Sequence, residues 1–497
     1  MREIGRIKLY TDVPKITREN VIDVLKQAYN ERISTVAKME SLLEYEAGYQ
    51  DQIRRKTYRS DINNHCVDNL ANEITDFKTG FVWGNPITLI QRGKEENIDS
   101  DVLKAIAELN RCYEAQEIRK KTQHLGRNVE ITGLGYTFVD VNTNRQDGDS
   151  YFQIESLDPQ NAFVVYSSHY VDQRPMLGVI TRTNKKNERS FTCFSATERY
   201  EINNAWEHGY RSGEANPLGM IPVVEWFRDY DRMGCFERQI SEMDNLNLLI
   251  SDFTNDVDQN TQAIWHGNDI AFPTEVVENE DGTKTEVRKK PSSNEWVLTQ
   301  TTTDGKTPFV KPLAVEYDYS GMLKNIITRR ELILQKCNVP QRNSTSGGSS
   351  GVAMDSATGW SAAETSANKQ QNIMESCKME EIKLVLRAIA KSDAPENSPL
   401  RKLKYTDIQP NIRRQKTYEL ITKCNAISTL ISHGFSIEDA VTVAPLFEDP
   451  TQTIVRSSDG VRRYQENHVF GETKEKIKDK IASDYGDQVN NTPNIEG

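Results

Sequence analysis

The sequence lacks the features that identify most membrane proteins and secreted proteins. No apolar run approaches eighteen residues, so no membrane-spanning helix is predicted. The first residues, Met1 to Lys8, contain no apolar core of the kind that signal peptides carry. The seven cysteines are scattered, and no two of them stand at metal-ligand spacing, which is typical of reduced thiols. We therefore expect a soluble protein of the cell interior.

Motifs of catalysis are also missing. No pair of histidines falls at a spacing of four residues, and neither a His-Glu-x-x-His nor a Gly-x-Ser-x-Gly motif occurs. The glycines of 347–351 lack the lysine of a phosphate-binding loop and follow a helical pattern, which favours a mobile or partner-facing loop. Gly133 and Gly135 lack the third glycine of a dinucleotide fingerprint and are interpreted as turn or bulge positions. We expect no enzymatic activity, no cofactor and no metal.

The length and the amino-acid composition describe a large and polar chain. Its 497 residues are enough for two or three domains, yet only 36% are hydrophobic and 27% are charged. The formal net charge of −11 argues against a protein that coats nucleic acid by bulk charge. It is compatible with a protein that touches DNA at a few basic points.

The first half of the chain predicts an α+β fold. Apolar residues at helical spacing predict helices over residues 17–45, 63–80 and 101–127, and Gly80 is expected to stop the second. Short alternating runs then predict strands at residues 129–141, 151–154, 162–166, 176–180 and 190–194. Turn residues separate these runs, so we expect a mostly antiparallel sheet.

The stretch from Pro217 to Trp360 contains two predicted central helices, and the rest of the chain is interpreted relative to them. After a strand at 223–227, a helical pattern runs from about Phe236 to Trp265, roughly 45 Å at 1.5 Å per residue. The residues that follow predict two hairpins, one pairing 275–277 with 286–288 and one pairing 296–298 with 309–310. A second helix is predicted from Tyr319 to Cys337, where Val339 and Pro340 stop it.

A Ser/Gly loop over 344–351 and a long helix over 361–391 come next, and a polar linker then leads to short helical pieces near 418–440. The last residues are polar and predict a solvated or disordered tail. One chain cannot easily bury the faces of such long helices by itself.

The charges of the two central helices allow two interpretations. The second helix carries Lys324, Arg329, Arg330 and Lys336, whereas the first carries acids that include Asp252, Asp256 and Asp258. One interpretation is a solvated surface with ion pairs between the helices. The other is a ring of such helices that turns its basic positions toward a polyanion. Asp256 and Asp258 are interpreted as solvated helix surface rather than as magnesium ligands.

Four segments resemble the portal proteins of tailed bacteriophages, of the type common in long-tailed phages of Gram-positive hosts. Asn63 to Pro86 is similar to the family's asparagine … glycine-asparagine-proline segment, and Pro217 to Glu225 to the segment that leads into its stem. Glu237 to Asp252 resembles its first stem helix, and Ser350 to Met354 the end of its tunnel loop. A weaker likeness continues to Pro450. The family usually has a basic or aromatic residue soon after the Gly-Val-Ala segment, whereas this chain has Asp355 there.

The resemblance implies a portal fold with an α/β wing, long stem helices, a small β-containing clip and a helical crown. It assigns the domains as follows: wing 1–232, first stem helix 233–265, clip 266–317, second stem helix 318–337, tunnel loop 338–360, long wing helix 361–393, crown 394–470 and tail 471–497.

The function that the resemblance implies is a ring, usually dodecameric, at one capsid vertex, through which double-stranded DNA is packaged and ejected. Its implied partners are the terminase large subunit, the major capsid and scaffolding proteins and a head–tail adaptor. The implied location is the virion, with assembly in the host cytoplasm. The tunnel loop then supplies DNA-channel residues, with Lys324, Arg329, Arg330 and Lys336 of the stem as further candidates. The loop residues are Ser346, Gly347, Gly348, Ser349, Ser350 and Gly351.

Two alternatives stay open. One is an enzyme of the packaging motor, a nuclease or an ATPase subunit, which requires a carboxylate cluster or a phosphate loop. The other is a head–tail connector or minor capsid protein that has no DNA channel.

Overall fold

The computed structural model describes residues 5–50, 62–92, 100–146, 148–186, 188–261, 265–268, 274–278, 282–288, 309–312, 318–340, 359–414, 420–443, 453, 457 and 460. Their contacts divide the chain into two compact units. The first unit combines Met1–Glu46, Glu73–Arg238 and Trp360–Gly497. The second unit combines Ala47–Asn72 with Gln239–Gly359.

The first unit holds most of the described helices and both larger sheets. Its helices are α1 (Val21–Glu46), α2 (Leu70–Trp83, whose first three residues count with the second unit), α3 (Ser100–Ala115), α4 (Ile118–Thr132), α7 (Trp360–Lys391), α8 (Pro399–Lys402), α9 (Leu420–Ser432) and α10 (Ile437–Val443). Its strands are β1 (Leu9–Thr11), β2 (Thr88–Gln91), β3 (Leu134–Val141), β4 (Phe152–Leu157), β5 (Ala162–Ser167), β6 (Pro175–Thr183), β7 (Arg189–Phe194), β8 (Glu198–Ile202), β9 (Glu214–Ala215), β10 (Val223–Phe227) and β15 (Ile408–Asn411).

The sheets confirm the predicted antiparallel α+β architecture. Six strands follow one another in the order β1-β5-β6-β7-β8-β9, and only the pair of β1 with β5 is parallel. A second sheet has the order β10-β3-β4 and is antiparallel throughout. The predicted strands at 162–166, 176–180, 190–194 and 223–227 lie within observed strands, and the one at 151–154 overlaps β4, which begins at Phe152.

Helix α7 is the central helix of the first unit. It packs against β3 and β10, and buried residues recur along it from Ala363 to Ile389. Residues after α7 enter the same core, because Leu400, Leu403 and Ile408 are buried there, and β15 pairs with β2. The short helix α8 also lies in this region, and the longer helix α9 starts at Leu420.

The second unit contains the two predicted central helices and two short hairpin-like pairs. Its helices are α5 (Ile240–Thr261) and α6 (Tyr319–Lys336). Its strands are β11 (Trp265–Asn268), β12 (Thr274–Glu278), β13 (Lys284–Arg288) and β14 (Phe309–Pro312). The pairing of β12 with β13 confirms the first predicted hairpin. The described partner of β14 is β11, and residues 296–298 of the second predicted hairpin lie outside the described residues.

Several predicted boundaries were wrong. The single helix over 101–127 is two helices, because Glu117 takes a left-handed conformation at φ 51°. The strand predicted from 129 begins at Leu134, and residues up to Thr132 complete α4, which Gly133 ends at φ 81°. The first central helix ends at Thr261, and Trp265 instead pairs with Pro312 in a strand.

Candidate functional site

The predicted tunnel-loop residues lie outside the described part of the chain. Residues 341–358 contain all six of them, from Ser346 to Gly351. The structure describes the four stem candidates, which all belong to α6. The candidate site can therefore be built from α5, α6 and the segments that contact them within the second unit.

Local sequence fixes both ends of α6. The Asp318 carboxylate accepts a hydrogen bond from the Gly321 N–H at 2.9 Å and so caps the first turn. At the other end, the N–H of Val339 reaches the carbonyl of Leu334 at 2.9 Å, while Asn338 takes a left-handed conformation at φ 54°. Pro340 then prevents further helix, as the sequence predicted.

Helices α5 and α6 pack against each other with antiparallel directions. The ring of Phe253, late in α5, meets the ring of Tyr319 at the start of α6, with centroids 5.9 Å apart. Near the other end, Ile333 and Leu334 of α6 are buried, as are Met243 and Leu246 of α5. The helical spacing of these apolar residues explains why both segments form amphipathic helices.

The four basic residues of α6 do not form one stripe. Lys324, Arg329 and Lys336 are exposed, but the Arg330 Nε donates to Asp68 Oδ2 at 3.0 Å. At about 100° per residue, Arg329 and Lys336 are offset by only about 20°, whereas Lys324 is about 140° away from Arg329. Arg329 and Lys336 therefore share one exposed face, and Arg330 belongs to the internal structure of the unit.

A polar ladder on α5 binds an extended segment, residues 62–69, which we name the strap. The Asn255 Oδ1 accepts from the Asn64 N–H at 2.7 Å, and the Ser251 Oγ accepts from the Cys66 N–H at 3.0 Å. The Asn247 Oδ1 accepts from the Asp68 N–H at 2.9 Å. Side chains of a helix thus replace the neighbouring strand that an extended segment would otherwise need.

The spacing of the ladder has a simple geometric basis. Asn247, Ser251 and Asn255 stand four residues apart, which is a rise of about 6 Å per step along α5. Alternate residues of an extended chain are about 6.7 Å apart and point their N–H groups to the same side. The two repeats match over two steps, so each of the three buried side chains of the ladder meets one N–H of the strap.

Further contacts hold the strap at both ends. The Asn64 side chain donates to Asp258 Oδ2 at 2.5 Å, and Asp68 pairs with Arg330. The Asn247 side chain also donates to Gln50 Oε1 at 2.5 Å. The ladder, the strap and α6 therefore form one connected polar network inside the second unit.

The helical spacing of apolar residues predicted a helix where the strap lies. The observed helix α2 starts only at Leu70 and runs through Gly80 to Trp83, so the predicted helix over 63–80 was wrong at both ends. Gly80 does not have a positive φ, and it therefore does not end the helix. The signal that could have revealed the strap is the polar series Asn247, Ser251, Asn255 on a helix face that is otherwise apolar.

Several large apolar side chains of α5 and α6 are exposed. Leu323, Ile327 and Leu332 of α6 are each about half exposed, and Leu248 and Val257 of α5 are each exposed by more than a third. Ile327 is one of these, and the residues that the structure describes leave it uncovered. Exposed apolar residues that recur along a helix pair are typical of surfaces that pack against other protein.

The arrangement offers binding groups rather than reactive ones. Among the described residues, no three His, Cys, Asp or Glu side chains are grouped so that they could hold a metal ion. None of the described helices combines the length and apolarity that a bilayer crossing needs. The exposed cations of α6, which are Lys324, Arg329 and Lys336, can contact phosphates or carboxylates without sequence specificity.

The chain is similar to one known protein family over most of its length. A family model described as phage portal protein, SPP1 Gp6-like, matches residues 22–483. The match covers nearly the whole chain, including both units and the segment that contains the predicted tunnel loop. No curated protein matches the chain significantly.

Proposed function

The chain belongs to the SPP1 Gp6-like family of phage portal proteins, and from this premise we propose that its copies form a closed ring with a DNA channel. The ring, a dodecamer in this proposal, occupies one vertex of the capsid. Double-stranded DNA passes along its axis during packaging and ejection. The match over residues 22–483 is the observation that carries this proposal.

The described helices support assembly from several copies. The exposed apolar side chains of α5 and α6 lose contact with water when a neighbouring copy covers them, at about 25 cal/mol per Å² of apolar surface. A ring gives every copy the same two neighbours, so each such face is covered without an open end. The acidic chain, at a net charge of −11, repels phosphate over most of its surface and so lets DNA slide.

The finer assignments are part of the same proposal. Helices α5 and α6 correspond to the stem, β11 to β14 to the clip, most of the first unit to the wing, and α9 with α10 to the crown. The tunnel loop, at 338–360, contacts the DNA backbone with small polar groups. The ring docks the terminase large subunit, the major capsid and scaffolding proteins and later a head–tail adaptor. We place the phage among long-tailed phages of Gram-positive hosts.

The proposal includes no enzymatic activity. Energy for packaging comes from a separate ATPase, which is consistent with a sequence that contains no phosphate-binding loop. The second candidate, a head–tail connector that has no DNA channel, is distinguished by ring size and by the absence of a pore wide enough for a duplex.

Electron microscopy of the purified protein viewed end-on tests the ring directly. We expect closed rings with a central pore wide enough for duplex DNA, and native mass spectrometry should give a single large oligomer. Monomers or dimers at every concentration and salt would contradict the ring. Closed rings with a pore too narrow for a duplex would instead support the connector.

A second experiment tests the loop separately from the ring. Replacing Gly347 and Gly348 with proline restricts the backbone of the loop. We expect rings that assemble normally but a several-fold loss of DNA packaged per capsid. A matched variant with alanine at both positions keeps more backbone freedom and should package better than the proline variant. Normal packaging by the proline variant would reject a role of the loop in transport.

A further inference from the structure

The first unit contains a large open cavity whose lining residues all belong to one chain. Its volume is about 1030 Å³, and its walls come from β1, β10, α7 and the loop that precedes β6. This volume is at the upper end of the range for small-molecule sites, so the cavity has room for several side chains of a peptide.

One side of the cavity is apolar. Ile221, Val223 and Phe227 line it from β10 and the turn before this strand, and Leu384 lines it from α7. The rings of Tyr10 and Tyr166 contribute further surface from β1 and β5. A large aliphatic or aromatic side chain that enters the cavity would therefore be desolvated against these apolar side chains.

The acidic groups that line the cavity already have partners. The Glu225 carboxylate accepts from Arg232 Nη2 at 2.5 Å and from the hydroxyl groups of Tyr136 and Tyr166 at 3.3 and 3.4 Å. Glu380 pairs with Lys383 at 2.6 Å. These carboxylates are neutralised within the first unit, so they leave little charge to repel an incoming anion.

Lys8 is the cation of the cavity that lacks an acidic partner. Its ammonium group donates to Gln173 Oε1 at 3.2 Å and lies 4.1 Å from the centre of the Tyr166 ring. Among the described residues, no carboxylate stands within ion-pair distance of it. Partial burial, and next the nearby Arg232, lower the pKa of Lys8, so its charged form is less stable than in water. A bound carboxylate would compensate for this loss.

The mouth of the cavity carries exposed aromatic surface. Tyr230 lines the cavity and is 88% exposed. Tyr170 and Val171, on the loop that leads to Gln173, are also almost fully exposed. Exposed tyrosines beside a pocket are typical of surfaces that bind another protein, because a tyrosine supplies a large contact area at low entropic cost.

We propose that this cavity binds an acidic peptide segment of another protein, with a large apolar side chain against β10 and a carboxylate on Lys8. Charge complementarity at Lys8 and the apolar wall together select such a segment. The inference does not depend on the ring, because every group that it uses belongs to the first unit of one chain.

A pair of fluorescent probes tests the anion requirement. The probe 1-anilinonaphthalene-8-sulfonate has an apolar body and an anion, and N-phenyl-1-naphthylamine has the same body without the anion. We expect Lys8→Met to weaken binding of the sulfonate at least five-fold and to leave binding of the neutral probe unchanged. Lys185→Met, which removes an exposed lysine of the β6–β7 turn, is the matched control and should change neither.

Blocking the cavity tests its location. Ser376 is an exposed residue of α7 that lines the cavity, so Ser376→Trp fills space without disturbing the core. We expect this variant to keep the circular dichroism spectrum of the parent and to lose at least five-fold in affinity for both probes. Unchanged binding of both probes in a folded Ser376→Trp variant would overturn the proposed site.

The peptide itself is tested by isothermal titration with acetyl-Glu-Leu-Phe-Glu-amide and with its counterpart in which glutamine replaces both acids. The acidic peptide should bind, with its affinity reduced by Lys8→Met, and the glutamine peptide should bind at least five-fold more weakly. Equal affinities of the two peptides would overturn the proposal. Binding of the sulfonate probe without any binding of the acidic peptide would overturn the peptide as occupant.

Discussion

At the scale of single residues, buried carboxylates hold the elements of the first unit together. Glu130 of α4 is fully buried and accepts hydrogen bonds from Trp83 Nε1 at 3.1 Å, Arg228 Nε at 3.1 Å and Gln370 Nε2 at 2.6 Å. These donors come from α2, from the end of β10 and from α7. One side chain therefore fixes the relative positions of four elements.

Removal of this carboxylate should be costly. Glu130→Ala removes the shared acceptor of Trp83, Gln370 and Arg228 and leaves the largely buried Arg228 with Asp229 alone of its two carboxylate partners. We expect a loss of about 3–5 kcal/mol in the free energy of unfolding. Urea denaturation followed by circular dichroism measures this loss. The matched control is Glu380→Ala, which breaks a largely exposed pair with Lys383 and should cost less than about 1 kcal/mol. Similar losses in the two variants would contradict the assigned role of Glu130.

The buried thiol of Cys377 predicts a pH effect of defined sign. Burial raises its pKa from 9.0 to about 12. Above pH 9 the unfolded chain loses a proton that the folded chain retains, so stability falls as the pH rises, by up to about 1.4 kcal/mol per pH unit. The contribution is complete below pH 9 and is lost between pH 9 and 12.

Variants separate the contribution of Cys377 to the pH dependence of stability from the contribution of the buried tyrosines. We expect Cys377→Ala to unfold at lower urea concentration than the parent at pH 8 and to lose less stability than the parent between pH 9 and 11. Cys424→Ala removes an exposed thiol and should follow the parent at every pH. Parallel pH curves for the parent and for Cys377→Ala would contradict the prediction.

At the scale of elements, the strap shows how a helix can support an extended segment. The backbone N–H groups of Asn64, Cys66 and Asp68 are bound by side chains that recur every four residues. A helix over the same residues would use these N–H groups in its own backbone hydrogen bonds and would leave the buried acceptors of the ladder without donors. The cost of unpaired buried polar groups explains why the extended form prevails over the helical pattern.

Loss of the middle hydrogen bond of the ladder should loosen the strap. Ser251→Ala removes the acceptor of the Cys66 N–H, and we expect a cost of about 1–3 kcal/mol and faster amide exchange across residues 62–69. Hydrogen exchange followed by mass spectrometry measures the amide exchange rates of the parent and of the variant. Ser241→Ala, at an exposed position of the same helix, is the control and should exchange like the parent. Unchanged exchange in Ser251→Ala would show that the ladder does not hold the strap.

At the scale of the whole molecule, the net charge and the few exposed cations of α6 act in opposite directions on DNA. A chain with a charge of −11 repels phosphates, whereas Arg329 and Lys336 share a face that can attract them. A channel with few cationic contacts holds DNA weakly enough for it to move, because each phosphate contact adds to affinity and to its salt dependence.

Reversal of these two charges tests whether that face meets DNA. For Arg329→Glu combined with Lys336→Glu, we expect rings of normal size but a several-fold loss of DNA packaged per capsid. The control variant Lys324→Glu changes one exposed charge on a different face of α6 and should have a smaller effect. Loss of the ring itself would assign the face to contacts between subunits, and normal packaging would remove it from the channel.

The sequence by itself determined the elements whose signal is local. Apolar residues at helical spacing located α6 and α7 almost to the residue, and alternation located β4 to β7 and β10. The family resemblance also came from the order of short motifs along the chain, and the family match confirms it at the level of a phage portal protein. These features depend on residues that are close together in sequence, so they can be recognised without knowledge of the fold.

Only the tertiary structure decided which groups meet across the chain. The partner of Arg330 and the acceptors of the strap belong to segments far apart in sequence. The helical pattern also did not reveal the left-handed Glu117 that divides α3 from α4. A polar side chain has the same local pattern whether it faces water or a buried partner. Its environment is set by the packing of the fold, and for this reason Lys8 could not be recognised from the sequence.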